Sequence, residues 1–342
     1  GIQDIRLVNA DGTGGSALTA NAFPSPQYDR LLSSGRSATV RNLIYSRRSY
    51  LDFGYGQWDV YVHDIAGNNV YNVTNTPDTD EFGPCFHGDD TTAPPMGAGS
   101  GQMYYSNDPL GTGVAQVWQT NYNISDPVSS NAPRAEWTGY DAGQANWGPK
   151  PPSTGGADLV TLSGSRFVYT GTDGTTKQIA RADYSEAGGW SSTILTTTPT
   201  EKENPTLSGT GGTIAFDVDS STPPDSIPDS IIAMNHDGTG YTDFVPRDAP
   251  PQVVEQPNLS RDGKWAVYVR EGNLYAKNRV GGLDTDLGLG LTDAEDPSFN
   301  GDMTQIVFRR TGAADPGAED IYVVGVYIDE AANTITPSPT GP

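Results

Sequence analysis

One cysteine, Cys85, leaves this 342-residue chain unable to form a disulfide within itself. Basic residues are scarce: 20 Lys and Arg stand against 42 Asp and Glu, a formal charge of −22. Such a surface repels phosphate backbones, so a nucleic-acid partner is excluded. No apolar run approaches the roughly 18 residues of a membrane-spanning helix, and no membrane insertion is expected. No amphipathic helical stretch of useful length occurs, nor any HExxH, GxSxG or P-loop pattern. Of the three histidines, His63 falls in a strand and His236 in an Asp-Gly turn, which reads as structural. His87 stands near Asp89 and Asp90 in a loop that reads as solvated. The chain opens on Gly1 without a signal peptide, as a processed exported protein would. With its acidic, Thr/Ser/Asn-rich composition, this points to an extracellular or cell-surface location, with the periplasm as the alternative.

What is present is punctuation and short β-rich runs. There are 41 Gly and 26 Pro, and aromatics at 9% give enough bulk to bury. A proline opens a recurring segment at Pro84, Pro149, Pro205, Pro257 and Pro297, with a weaker copy at Pro24. Each leads to a strand ending on an aromatic: Tyr105, Tyr169, Phe216, Tyr268, Phe308 and, for Pro24, Tyr45. The spacing is 11 in the last three copies and 20 or 21 in the first three. A third strand follows each pair ("DVYVHD", "QVWQTN", "QIARAD", "SIIAMN", "NLYAKN", "DIYVVG"), then a polar turn and a short Thr-rich strand. Self-similarity of this kind marks a repeat architecture of antiparallel strands.

The segment "PNLSRDGKWAVYVREGNLYAKN" resembles the WD40-like β-propeller repeat of the TolB type, and "DPSFNGDMTQIVFRR" and "NPTLSGTGGTIAF" are two further copies. The resemblance implies an all-β, six-bladed β-propeller of four-stranded antiparallel blades. The expected units are N-terminal strands at 1–19, a propeller at 20–335 and a Pro/Thr tail at 336–342. The blades are expected at about 20–75, 76–139, 140–198, 199–247, 248–292 and 293–335. Residues 4–18 align with a third-and-fourth-strand pair, so they are expected to close the ring on the last blade. The alternative is that they are exchanged with a neighbouring subunit, which builds head-to-tail assemblies. The long connections of the first three blades, including "YDRLLSSGRSATVR", are expected on one face.

Three sets of candidate residues follow. Phe82, Trp147, Glu203, Glu255 and Glu295 stand two residues before a repeat proline, near the central channel of a propeller. Carboxylates there would raise one another's pKa or attract a cation, and the aromatics could stack on a sugar or a peptide. Asp217, Asp219, Asp225 and Asp229 fall in one connection and suit calcium, the one cofactor considered. Sequons at Asn72 and Asn123 are glycan-acceptor candidates, whereas that at Asn258 lies inside a repeat strand. The repeat marks a fold and carries no catalytic residue of its own. The expected role is therefore a secreted, non-enzymatic interaction or self-assembly module whose partner is a protein or a second copy. The alternative is a carbohydrate-active enzyme such as a propeller polysaccharide lyase, or a glycan-binding propeller.

Overall fold

The computed structural model describes residues 6–7, 16–17, 27–34, 42–51, 54–64, 69–75, 79–87, 100–109, 116–123, 145–147, 166–172, 176–185, 189–208, 211–219, 229–247, 252–260, 262–282, 284–290, 292–299, 303–311 and 319–338. Among them, all regular structure is β-strand, and no helix is long and apolar enough to cross a membrane. A hairpin comes first, β1 (Arg6–Leu7) with β2 (Ser16–Ala17). The next sheet is β3 (Gln27–Ser34), β4 (Asn42–Leu51), β5 (Gly54–Asp64) and β6 (Asn69–Asn72). It is followed by β7 (Thr79–His87), β8 (Ser100–Pro109) and β9 (Gln116–Asn123). Then come β10 (Ala145–Trp147), β11 (Arg166–Thr172), β12 (Lys177–Ser185) and β13 (Gly189–Ile194). The fourth sheet is β14 (Lys202–Leu207), β15 (Thr213–Val218), β16 (Ser230–Asn235) and β17 (Thr242–Val245). The fifth is β18 (Val254–Leu259), β19 (Trp265–Arg270), β20 (Asn273–Asn278) and β21 (Thr285–Asp286). The last is β22 (Ala294–Phe299), β23 (Gln305–Thr311), β24 (Glu319–Asp329) and β25 (Thr334–Pro337).

Each sheet is an antiparallel meander in chain order. Inner strands adjoin in succession, β3 beside β7, then β10, β14, β18 and β22, and β22 lies beside β3 again. This is an all-β propeller. Five sheets, not six, have the four strands of a complete blade; β7–β9 has three among the described residues.

The core lies between the sheets, and the two-residue period of a strand explains it. In β19, Trp265, Val267 and Val269 pack with Phe299, Ile306, Phe308 and Val324 of the following sheet. The alternate residues, Ala266 and Tyr268, pack with Ala215, Ile231, Ala233 and Phe244 of the preceding one. In β15, Phe216 and Ile214 turn toward Val168 and Ile179, while Ala215 turns the other way. These middle strands are buried on both faces, hence their near-continuous apolar runs. Stacked aromatic pairs across the two central strands recur, Tyr45–Tyr61, Tyr268–Tyr275 and Phe308–Tyr322. Arg47, Arg270 and Arg310 lie over these rings, a guanidinium–π contact that the proline-based pattern did not reveal.

The inner hairpin turns repeat a hydrogen-bond pattern. Ser208 Oγ accepts from Thr213 N and Ser260 Oγ from Trp265 N, both at 3.0 Å. Gly211 and Gly263 follow at φ of 72° and 71°, and the sixth-sheet turn puts Met303 there at 62°. A side chain in that region costs about 1 kcal/mol, so Gly is the economical residue.

Three expectations are corrected. The register skips between Arg30 and Ser33, as it does between Glu203 and Thr206, so Leu32 occupies the repeat-proline place rather than Pro24. Residues 28–34, expected as part of a long connection, are therefore strand β3. The C-terminal strand β25 reaches Pro337 and takes in residues assigned to the tail, because Ile335 is fully buried in the apolar cluster with Leu274 and Leu287. Strand β25 pairs with Val326–Asp329, beyond the stretch Glu319–Gly325 that pairs with β23, and β1 lies beside β24.

Candidate functional site

Three inner strands begin on Glu-x-Pro: Glu203-Asn204-Pro205, Glu255-Gln256-Pro257 and Glu295-Asp296-Pro297. A β-bulge follows each glutamate. The residue before the proline sits at φ of 48°, 55° and 49°. Pre-proline residues ordinarily favour extended backbone, so each bulge stores strain of about 1–3 kcal/mol that the surroundings must hold. Hydrogen bonds passing from sheet to sheet do so. Asp217 Oδ2 accepts from Asn204 Nδ2 at 2.6 Å and from Gln256 N at 3.0 Å. Gln256 Oε1 accepts from Asp296 N at 2.8 Å. Deeper in, Thr206 Oγ1 accepts from Leu259 N and Asn258 Oδ1 from Phe299 N.

The bulges bring Glu203, Glu255 and Glu295 to the same end of successive inner strands. Glu203 is ion-paired with Lys177. Glu295 is ion-paired with Arg309, which also lies 3.3 Å from Asp296. Glu255 is half-buried and has no ion pair among the described residues. Burial pushes its carboxyl above the usual range, and Glu295, Asp296 and Glu203 push the same way. Asp217 pairs with Glu203 across the strands and is 1% exposed. Its Oδ1 has no hydrogen-bond partner. Burial raises its pKa to about 7; the bonds from Asn204 and Gln256 oppose the rise, and Glu203 and Glu255 add to it.

Register decides which other candidates join this end. Phe82, opposite Ser106 and just before a bulge, holds the place of Glu203. Trp147 does not: it lies opposite Phe167, the register place of Leu207 opposite Ile214. Its proline, Pro149, lies outside the described residues, so the proline count misplaced it. Arg30, opposite Ser46 before a bulge, holds the Glu203 place on β3 and escaped sequence reasoning because Leu32 replaces the proline.

The aspartates of the expected calcium site are engaged separately. Asp217 belongs to β15 and binds Asn204 and Gln256, Asp219 is buried, and Asp229 pairs with Arg247 Nε at 2.8 Å. Asp225 lies outside the described residues. No three His, Cys, Asp or Glu side chains among the described residues are grouped to hold a metal ion. At the sequon of Asn72, its Nδ2 donates to Asp59 Oδ2 and Tyr61 OH, its Oδ1 accepts from Asn75 N, and Thr74 is buried. Asn123 ends β9. Cys85 and His87 lie in β7 and His63 in β5.

No family model matches the chain, and no curated protein matches it. Solved structures do. TolB from Acinetobacter baumannii superposes with a TM-score of 0.51 at 12% identity, over 93% of this chain and 80% of that one. The fold is that of a TolB-type β-propeller. The same architecture is found in oligogalacturonate lyase from Vibrio parahaemolyticus, with a TM-score of 0.50, 9% identity, and 96% and 97% of the two chains covered. It is found again in a puromycin-hydrolyzing peptidase of Mycobacterium tuberculosis, with a TM-score of 0.52 at 14% identity. There 96% of this chain covers 50% of the peptidase. At these identities the shared feature is the TolB-type fold.

Proposed function

We propose that this chain is an exported, non-enzymatic propeller that binds a protein partner at the axial end where its Glu-x-Pro bulges open. The observation that carries the reading is the gathering of Glu203, Glu255 and Glu295 there by three identical bulges, with Glu255 left without a counter-charge among the described residues. Strained backbone held by a sheet-to-sheet hydrogen-bond chain is a feature that clusters at functional positions, which supports the reading. The location is periplasmic or extracellular in this reading, in keeping with the acidic, Thr/Ser/Asn-rich composition.

The ring in this reading closes where β22 lies beside β3, the last sheet against the first. Its N-terminal strands close it: the outer edge of Glu319–Val324 is not taken by β25, and β1 lies beside β24. Exchange with a second copy is the competing arrangement. Light scattering on the full chain and on a chain lacking residues 1–19 separates the two. Closure predicts a monomer that is destabilised by the deletion. Exchange predicts large assemblies that the deletion dissolves. A second reading, a polysaccharide lyase, draws on the likeness to oligogalacturonate lyase. An acidic mouth repels a polyuronate, which disfavours it. Release of unsaturated oligogalacturonate by the purified chain, followed by absorbance, would replace the first reading with the second.

A further inference from the structure

We infer that the chain pairs with a second copy of itself along the outer edge of β13, across a two-fold axis at Ser192. Strand β13 is the fourth of its sheet, at the opposite edge from the inner strand β10, so the inference does not depend on the axial mouth. Leu195 N donates to Ile179 O at 2.8 Å, which continues the ladder of β13 on β12. Alternation then turns the N–H and C=O of Trp190, Ser192 and Ile194 away from β12, where no strand among the described residues takes them. An open row of this kind is a template for another strand, and native chains blunt it with charge, proline, a bulge or short length. The other outer strands are blunted in these ways. Strand β17 carries Asp243 and a bulge in its pairing, β21 is two residues long and carries Asp286, β25 carries Pro337, and β6 stops after four residues. Strand β13 runs for six residues without a bulge, a proline or a charge.

Charge and symmetry select the occupant. A chain of charge −22 repels its own copies, and two copies approach most easily where charge is absent. From Ala187 to Thr200 there is no charged residue, and Ser191, Ser192 and Thr193 are exposed. The nearest charges on β12, Arg181 and Asp183, are paired with one another. The open backbone groups are also self-complementary, because they stand symmetrically about Ser192. An antiparallel second copy sets Ser192 opposite its own counterpart and Trp190 opposite Ile194, each pair exchanging two backbone hydrogen bonds. Ser191 then opposes Thr193, a pair of small hydroxyl side chains that can hydrogen-bond across strands. The two four-stranded sheets become one, and a two-fold contact of this kind closes at two copies. Six residues of edge bury far less than the roughly 1,200 Å² at the low end of stable interfaces, so the pairing is weak. The dilute chain is therefore the monomer that ring closure implies, and the dimer forms on concentration.

The test is sedimentation velocity of the full chain from about 1 μM to about 1 mM, a range that brackets a contact weaker than standard interfaces. The average mass is expected to rise from monomer toward dimer and to stop there. Ser191→Lys combined with Thr193→Lys sets like charges opposite each other twice and should weaken dimerisation roughly tenfold. Ser191→Glu combined with Thr193→Glu should do the same. Mixed in equal amounts, the two variants should pair at least as tightly as the original chain, because each Lys then faces a Glu. The Lys variant is informative alone: it lowers the net negative charge, so non-specific association would strengthen where the inference requires weakening. Unchanged thermal unfolding of each variant shows that the sheet is intact. Hydrogen exchange of the unsubstituted chain gives a second readout, since the Ser192 and Ile194 amides should slow at the top of the concentration range and not at the bottom. A monomer at every concentration up to about 1 mM would overturn the inference. So would growth past the dimer, which marks open-ended exchange of the N-terminal strands, or a dimer that both variants leave unchanged. Dissociation by Val70→Lys and not by the β13 variants would overturn it and move the contact to β6. Loss of the edge contact leaves the proposed mouth site standing, and loss of the mouth site leaves the edge contact standing.

Discussion

The sheets after residue 200 and those before it share one strand order but anchor their inner strands differently. In the later half, three Glu-x-Pro bulges repeat, and the Ser208 and Ser260 turns share one hydrogen-bond pattern. Thr206 and Asn258 then tie each inner strand to the next through side chain-to-backbone hydrogen bonds. In the earlier half, β3 has Leu32 at the proline place and β7 has Phe82 at the glutamate place. The central hairpin survives in both halves, with the strand aromatic opposite Tyr61, Trp118 or Tyr275 in the next strand. The blade is thus built on its central hairpin, whose first strand is buried on both faces in β15 and β19. The inner strand is the part free to diverge.

That contrast can be broken from the core outward. Trp265→Ala should cost about 3–5 kcal/mol in denaturant unfolding, because Trp265 is fully buried where the fifth and sixth sheets meet. A cost below about 1 kcal/mol would mean that the later half does not carry the stability. Gly272→Ala comes next: Gly272 sits at φ +73°, and an added Cβ would lie 2.1 Å from the Thr292 carbonyl oxygen. Backbone must shift, and a loss of about 2–4 kcal/mol is expected in the same measurement.

The third concerns Asp217. Its folded pKa, about 7, lies above the model-peptide value of 3.8, so the folded state binds the proton more tightly. Its contribution to stability is therefore full at low pH, declines as the pH rises from about 4 through 7, and is gone above. Asp217→Asn should flatten this slope and raise stability at pH 8 by on the order of 1–3 kcal/mol. A slope unchanged by the substitution would show that Asp217 is not the group. The smallest effect expected is Thr206→Val, which leaves the Leu259 amide without its acceptor and should cost about 1–2 kcal/mol. A neutral result would show that the Thr206 bond does not help to hold the inner strands of the later half.

The sequence made much of the architecture legible through particular residues. Tyr45, Tyr105, Tyr169, Phe216, Tyr268 and Phe308 marked the second strand of every sheet, because an aromatic buried between sheets has no substitute in a turn. Glu203, Glu255 and Glu295 were visible as one position because the following proline fixes where the bulge falls. Where proline was the guide and was absent or displaced, the reading slipped: Arg30 was overlooked, and Trp147 was given the place of Glu203 when it holds that of Leu207. Asp217 was read as a loop ligand because it follows the strand aromatic in an aspartate-rich run, though it lies in β15 facing Asn204.

Strand periodicity and turns follow from neighbours a few residues apart, and the excess of negative charge from composition, so all three are legible in the chain before it folds. Which carboxylates stand together, and which have counter-charges, depends on the packing of sheet against sheet. The Lys177–Glu203 pair and the bond from Gln256 to Asp217 join residues 26 and 39 positions apart. Such contacts come from how one sheet stacks on the next, and no local pattern encodes them.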